Sequence, residues 1–89
     1  MQGTTKSGYD YSIDDRILTD WRFTNALAKC QRSEELKQLE GMHEMVSLLF
    51  GDKLEEFMAH IASQNEGYVP AAAIMADVQE IFESKIPKN

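Results

Sequence analysis

The side chains best suited to chemistry are His43, His60, Cys30 and fifteen carboxylates. His43-Glu44 begins like the helical zinc motif His-Glu-x-x-His, where two imidazoles one turn apart hold the metal and the glutamate acts as base. Position 47 is Ser and His60 lies far along the chain, so one imidazole stands where two are required. Asp10, Ser12 and Asp14 alternate like the start of a calcium loop, but its sixth and twelfth positions, which need Gly and Glu, hold Asp15 and Trp21. There is no phosphate-cradling glycine loop, and a lone cysteine with two scattered histidines does not make an activated nucleophile. Glu34, Glu35, Glu55, Glu56, Glu80 and Glu83 fall between apolar positions, the pattern of solvated helix faces rather than paired acid and base groups. The expectation is no catalytic residue, no cofactor and no metal: a protein that is not an enzyme.

The chain that must position these groups has 89 residues and net charge −6, with 43% hydrophobic and 27% charged residues. That is one domain's worth of globular chain, and its core is thin, because so short a chain buries only about 60 to 65% of its unfolded surface. The acidity repels phosphate backbones and anionic lipid, which argues against nucleic acid or membrane as partner. Lys29, Arg32, Lys37 and Lys53 form no basic face, so a helix-turn-helix DNA binder ranks last. Cys30 has no internal disulfide partner, and the residues from Met1 to Tyr9 contain no apolar signal core, which together suggest a reducing cytosol.

Periodicity predicts an all-α fold, a small four-helix domain over residues 12–86. A flexible N-terminal tail precedes it (1–11, Gly, Ser and Thr rich) and a short C-terminal tail follows (87–89). Ser12 is the expected cap of a first helix with Asp14 and Asp15 in its opening turn. Ile13, Ile17, Leu18, Trp21 and Ala28 line one face and Phe23, Leu27 and Cys30 a second. Two faces need two neighbours, supplied by a central position in the bundle or by another molecule. Ser33 caps the second helix, whose stripe is Leu36, Leu39, Met42, Val46, Leu49 and Phe50. Gly41 interrupts it, either as a tolerated weak point or as a site of close helix approach, and Gly51 closes it. Asp52-Lys-Leu-Glu55 opens a third helix carrying Leu54, Phe57, Met58 and Ile61, which ends at Asn65-Glu66-Gly67. Pro70 opens the last, with Ile74, Val78, Ile81 and Phe82 inward, and Pro87 stops it.

The methionines Met42, Met45, Met58 and Met75 are many for so small a core, and their unbranched, polarizable side chains re-pack against varied apolar partners. With Trp21, Phe23 and Phe57 they form the candidate partner-binding set; filling the core is the alternative for each. A binding surface or a homo-oligomer interface is expected.

From Tyr11 to Ser84 the order of features resembles the tail assembly chaperones of long-tailed bacteriophages, siphophages in particular. The likeness rests on Asp14-Asp15-Arg16, on Ser47 to Gly51 (Ser-Leu-Leu-Phe-Gly) followed by Asp-Lys-Leu-Glu, on Asn65-Glu66-Gly67-Tyr68-Val69-Pro70, and on the helix containing Asp77 to Glu83. It covers about five-sixths of the chain and includes no catalytic signature. The resemblance implies a late protein of viral morphogenesis that acts in the host cytoplasm and is absent from the mature virion. It would bind the tape-measure protein, keep it soluble, and help recruit tail tube protein. Many members are made in two lengths by programmed frameshift. Pro87-Lys88-Asn89 is compatible with the slippery codons CCA-AAA-AAC, and the longer form would contact the tube subunits. The competing function is an acidic helical regulator or inhibitor that occupies a basic site on a protein target.

Overall fold

Two aspartates set where the first helical elements begin. Asp14 and Asp20 each have extended backbone, and each carboxylate accepts the N–H of the residue two positions on, Arg16 at 2.9 Å and Arg22 at 2.8 Å. Each also meets that arginine's guanidinium, with Nη2 at 2.6 Å and 3.0 Å. The repeated Asp-x-Arg therefore starts two elements in succession: a 3-10 turn over Asp15–Thr19 and helix α1, Trp21–Cys30. The single helix expected from Ser12 is thus broken at Asp20, because its side chain competes for the N–H groups that a continuous helix would use.

The computed structural model describes residues 1–85. The protein is mostly helical, with a small two-stranded sheet. Helix α2 is Glu35–Phe50, capped at Glu34 rather than the expected Ser33, with no side-chain hydrogen bond at the cap. Gly51 ends it at φ 55°, a value that favours glycine, and its N–H bonds to Ser47 O. A 3-10 turn, Gly51–Lys53, then runs directly into α3, Leu54–Ser63. The expected four-helix count is therefore not matched exactly: among the described residues α2 and α3 follow each other with only Gly51 and its 3-10 turn between them, and a further 3-10 turn precedes α1. Beyond α3, Glu66 and Gly67 both take positive φ, and irregular residues lead to α4, Ala71–Lys85. Pro70 sits just before that helix and its carbonyl accepts from Ala73 and Ile74. Pro87 and the 87–89 tail lie outside the described residues.

The helical character expected holds for most of the chain, but the residues expected as a flexible tail contribute to a small sheet. Strand β1, Gln2–Thr4, pairs antiparallel with β2, Asp10–Ser12, in the register Gln2↔Ser12, Gly3↔Tyr11 and Thr4↔Asp10. Between them Thr5 N–H bonds to Tyr9 O and Gly8 N–H to Thr5 O, with Gly8 at φ 93°. Thr5, Tyr9 and Tyr11 are buried. A Gly, Ser and Thr rich composition reads as mobile when its partners are ignored, and here those partners, from Phe57 to Ser84, lie far along the chain.

The chain divides into two compact units, Ile13–Leu54 and Met1–Ser12 with the chain from Glu55 onward. In the first, α1 and α2 pack together, with Phe23, Ala26, Met45, Val46, Leu49 and Phe50 buried. Gly41 is buried at their contact: a Cβ there would lie 2.6 Å from Ala26 O and 2.8 Å from Cys30 N. Of its two sequence readings, close helix approach is the one realised. In the second unit Phe57, Ile61, Ile74, Val78 and Ile81 are buried, and the ring of Tyr9 meets Phe57 edge-on at 5.0 Å.

Candidate partner-binding surface

The unit built from α1 and α2 exposes its apolar residues at the two ends of the helix pair. Trp21 is the first residue of α1, directly after the Asp20 cap, and is 84% exposed. It borders a shallow groove of about 530 Å³ whose other walls include Arg22, Asn25, Lys29, His43 and Leu48. At the other end, α1 has ten residues and α2 sixteen. Because Gly41 lies against the last turn of α1, from Ala26 to Cys30, the turns of α2 before Gly41 run on past the end of α1. Leu36 and Leu39 occupy that overhang, 81% and 49% exposed.

Polar groups frame the groove. Lys29 Nζ lies 2.8 Å from Glu44 and 3.7 Å from Glu40, and the Glu44 hydrogen bond chiefly raises its pKa. Burial pushes the Cys30 thiol up, with the Glu44 carboxylate adding to the effect, so thiolate chemistry is disfavoured there. The guanidinium hydrogen bonds of Arg16 and Arg22 hold the Asp14 and Asp20 carboxyls down at about 2.

The sequence-derived candidates separate by burial. Trp21 is exposed; Met42, Met58 and Met75 are half-buried; Phe23, Met45 and Phe57 are buried, Phe23 and Phe57 completely. Trp21, Phe23, Met42 and Met45 belong to the Ile13–Leu54 unit, and Phe57, Met58 and Met75 to the other. Sequence reasoning placed Leu36 and Leu39 on an inward stripe; Tyr68 and Val69, in the other unit, are also exposed, at 75% and 40%. The usable signal for the leucines was the repeat of Asp-x-Arg at Asp20, which starts α1 late and leaves it shorter than α2.

The other unit gathers Ser7, His60 and Asp77, the residue types of a hydrolytic triad. Ser7 Oγ donates to Asp77 Oδ2 at 2.7 Å and lies 3.1 Å from His60 Nε2. His60 Nε2 is also 3.0 Å from Ser7 O, a carbonyl that can only accept, so this nitrogen carries a proton. It cannot take the serine proton, and the order Asp–Ser–His leaves no base on the hydroxyl. The cluster ties the hairpin to α3 and α4. Among the described residues no group of three or more His, Cys, Asp or Glu is placed to hold a metal ion, and no helix is long and apolar enough to cross a membrane. No protein-family model, no curated protein and no solved structure matches the chain.

Proposed function

We propose that this protein is a tail assembly chaperone of long-tailed bacteriophages. On this reading it binds the tape-measure protein in the host cytoplasm and holds it soluble until tube subunits arrive, and it is left out of the finished virion. The observation that carries the reading is the exposure of Trp21, Leu36 and Leu39 on one helical unit: isolated apolar side chains are ordinary, but a Trp and a Leu each more than four-fifths exposed are suited to a partner with apolar stripes. A long helical client presents such stripes, and helix-in-groove docking covers them. The net charge of −6 keeps the complex soluble and discourages coating of DNA. Recruitment of the tail tube protein is assigned to a longer frameshifted product. Co-expression with the tape-measure protein tests the proposal: a raised soluble yield and a co-eluting complex are expected, and neither appearing would refute it.

A second reading, an acidic regulator that occupies a basic site on a protein target, is favoured by one observation. In the unit of Met1–Ser12 and the chain from Glu55, Asp10, Glu55, Glu56, Glu66, Asp77, Glu80 and Glu83 outnumber the basic residues Lys6, Lys85 and Lys88. Binding through the exposed carboxylates of that unit weakens steeply with salt, whereas apolar client binding does not.

A further inference from the structure

The hairpin of residues 1–12 is held by a receptor face built from two helices. On α3 and the turn directly after it, Phe57, His60 and Gln64 recur at i, i+3 and i+7; on α4, Asp77, Glu80 and Ser84 do the same. Both stripes point to one side of their helix. The Asp77 side chain, in a residue 5% exposed, accepts from Thr5 Oγ1 at 3.0 Å and Ser7 Oγ at 2.7 Å. The Lys6 N–H donates to both oxygens of Glu80, at 3.1 Å and 3.0 Å, and Tyr11 OH donates to Ser84 Oγ at 3.0 Å. His60 and Gln64 both reach Ser7 O, and Tyr9 packs on Phe57.

Two features make this arrangement exchangeable. A two-stranded ribbon with three residues per strand is not stable alone in water, so the face is what orders the hairpin. Residues 1–12 are joined to that face only through Ile13–Leu54, a compact unit of its own. None of the bonds specifies that hairpin and face belong to the same chain, the condition under which an identical element swaps between copies. We propose that the α3–α4 face is a receptor for this hairpin and accepts it from a second copy of the chain, giving a hairpin-exchanged dimer in which each copy completes the other's face. In dilute solution a copy fills its own face; exchange gains once the concentration approaches the effective concentration of the tethered hairpin, on the order of millimolar. The proposal is independent of the client that the α1–α2 unit binds.

Complementation between full-length chains tests it. One variant carries Thr5→Ala with Ser7→Ala, a defective hairpin on an intact face; the other carries Asp77→Ala, an intact hairpin on a defective face. Neither alone can form the complete site, but a mixed dimer contains one. Sedimentation and native mass spectrometry of the equimolar mixture should show a heterodimer about a hundredfold tighter than either variant's self-association, as two hydrogen bonds to a carboxylate are restored. No mixed species, or dimers equally abundant in the separate variants, would overturn the proposal. Should Asp77→Ala lose its helical circular dichroism, Glu80→Ala takes its place, and the mixture is judged by the same two outcomes.

Discussion

Replacing Gly41 by Ala sets two effects of opposite sign against each other. Helix propensity alone makes the alanine variant more stable, by about 1 kcal/mol for an interior glycine. The packing of α1 on α2 opposes this, since the new methyl would stand 2.6 Å from Ala26 O, 2.7 Å from Lys29 Cβ and 2.8 Å from Cys30 N. Two of these three atoms are backbone and cannot swing aside, so the helices must separate by roughly 0.6 to 0.8 Å to reach about 3.4 Å, a separation that strains a closely packed interface. Overpacking costs of about 1 to 3 kcal/mol are usual for such insertions, and backbone contacts belong at the upper end. The net expectation is a loss of about 1 to 2 kcal/mol, equivalent to a fall in Tm of roughly 4 to 16 °C for a domain of this size. Thermal and urea unfolding followed by far-UV circular dichroism measures it, with hydrogen exchange locating the weakened amides in α1 and α2. A Gly41→Ala protein more stable than the parent by about 1 kcal/mol would refute close helix approach as the reason for this glycine.

Other consequences follow from named contacts. Glu66 holds φ 56°, so Glu66→Gly should raise stability by about 1 kcal/mol in urea titration, and an unchanged or lower midpoint would contradict a strained turn. Asp77→Ala removes the acceptor of two hydroxyls and should cost about 2 to 4 kcal/mol, with amides of residues 2–12 losing exchange protection first. Asp14 and Asp20 have carboxyl pKa values lowered from 3.8 to about 2, chiefly by the hydrogen bonds from Arg16 and Arg22. A lowered folded pKa contributes stability above the unfolded value and loses it as pH falls through the folded one, so these caps should weaken between about pH 4 and pH 2. Carboxyl titration by NMR checks this, and a midpoint near 4 for either residue would refute the pairing.

Features encoded within a few residues were legible in the sequence, and those made by distant partners were not. Gly51 and Pro70 mark helix ends because positive φ and a missing N–H act locally. Ile74, Val78 and Ile81 are inward as their spacing requires. Asp20 was open to the same reading, since an Asp two residues before Arg repeats the pattern at Asp14, but the apolar periodicity across it carried more weight. The hairpin was not legible: Thr5 and Ser7 look like a polar tail until Asp77 lies beside them. On the candidate surface Trp21 is exposed, and Leu36 and Leu39 are exposed where the stripe implied burial, because a stripe gives the side of a helix that is apolar but not how far its neighbour extends. Phe23, Met45 and Phe57 show the converse, as large apolar type cannot by itself distinguish interface from interior.

The most direct test is capture of the tape-measure protein by the full chain and by a Trp21→Ser, Leu36→Ser variant, with soluble client quantified after co-expression. Both positions are more than four-fifths exposed, so the fold should be retained, with stability changed by no more than about 0.5 kcal/mol per site. The parent should raise soluble client and co-elute with it in high and low salt alike, and the variant should do neither. A parent that binds no client, or a variant that keeps its helical signal and captures client as well as the parent, would contradict the claim that these exposed apolar residues perform the function.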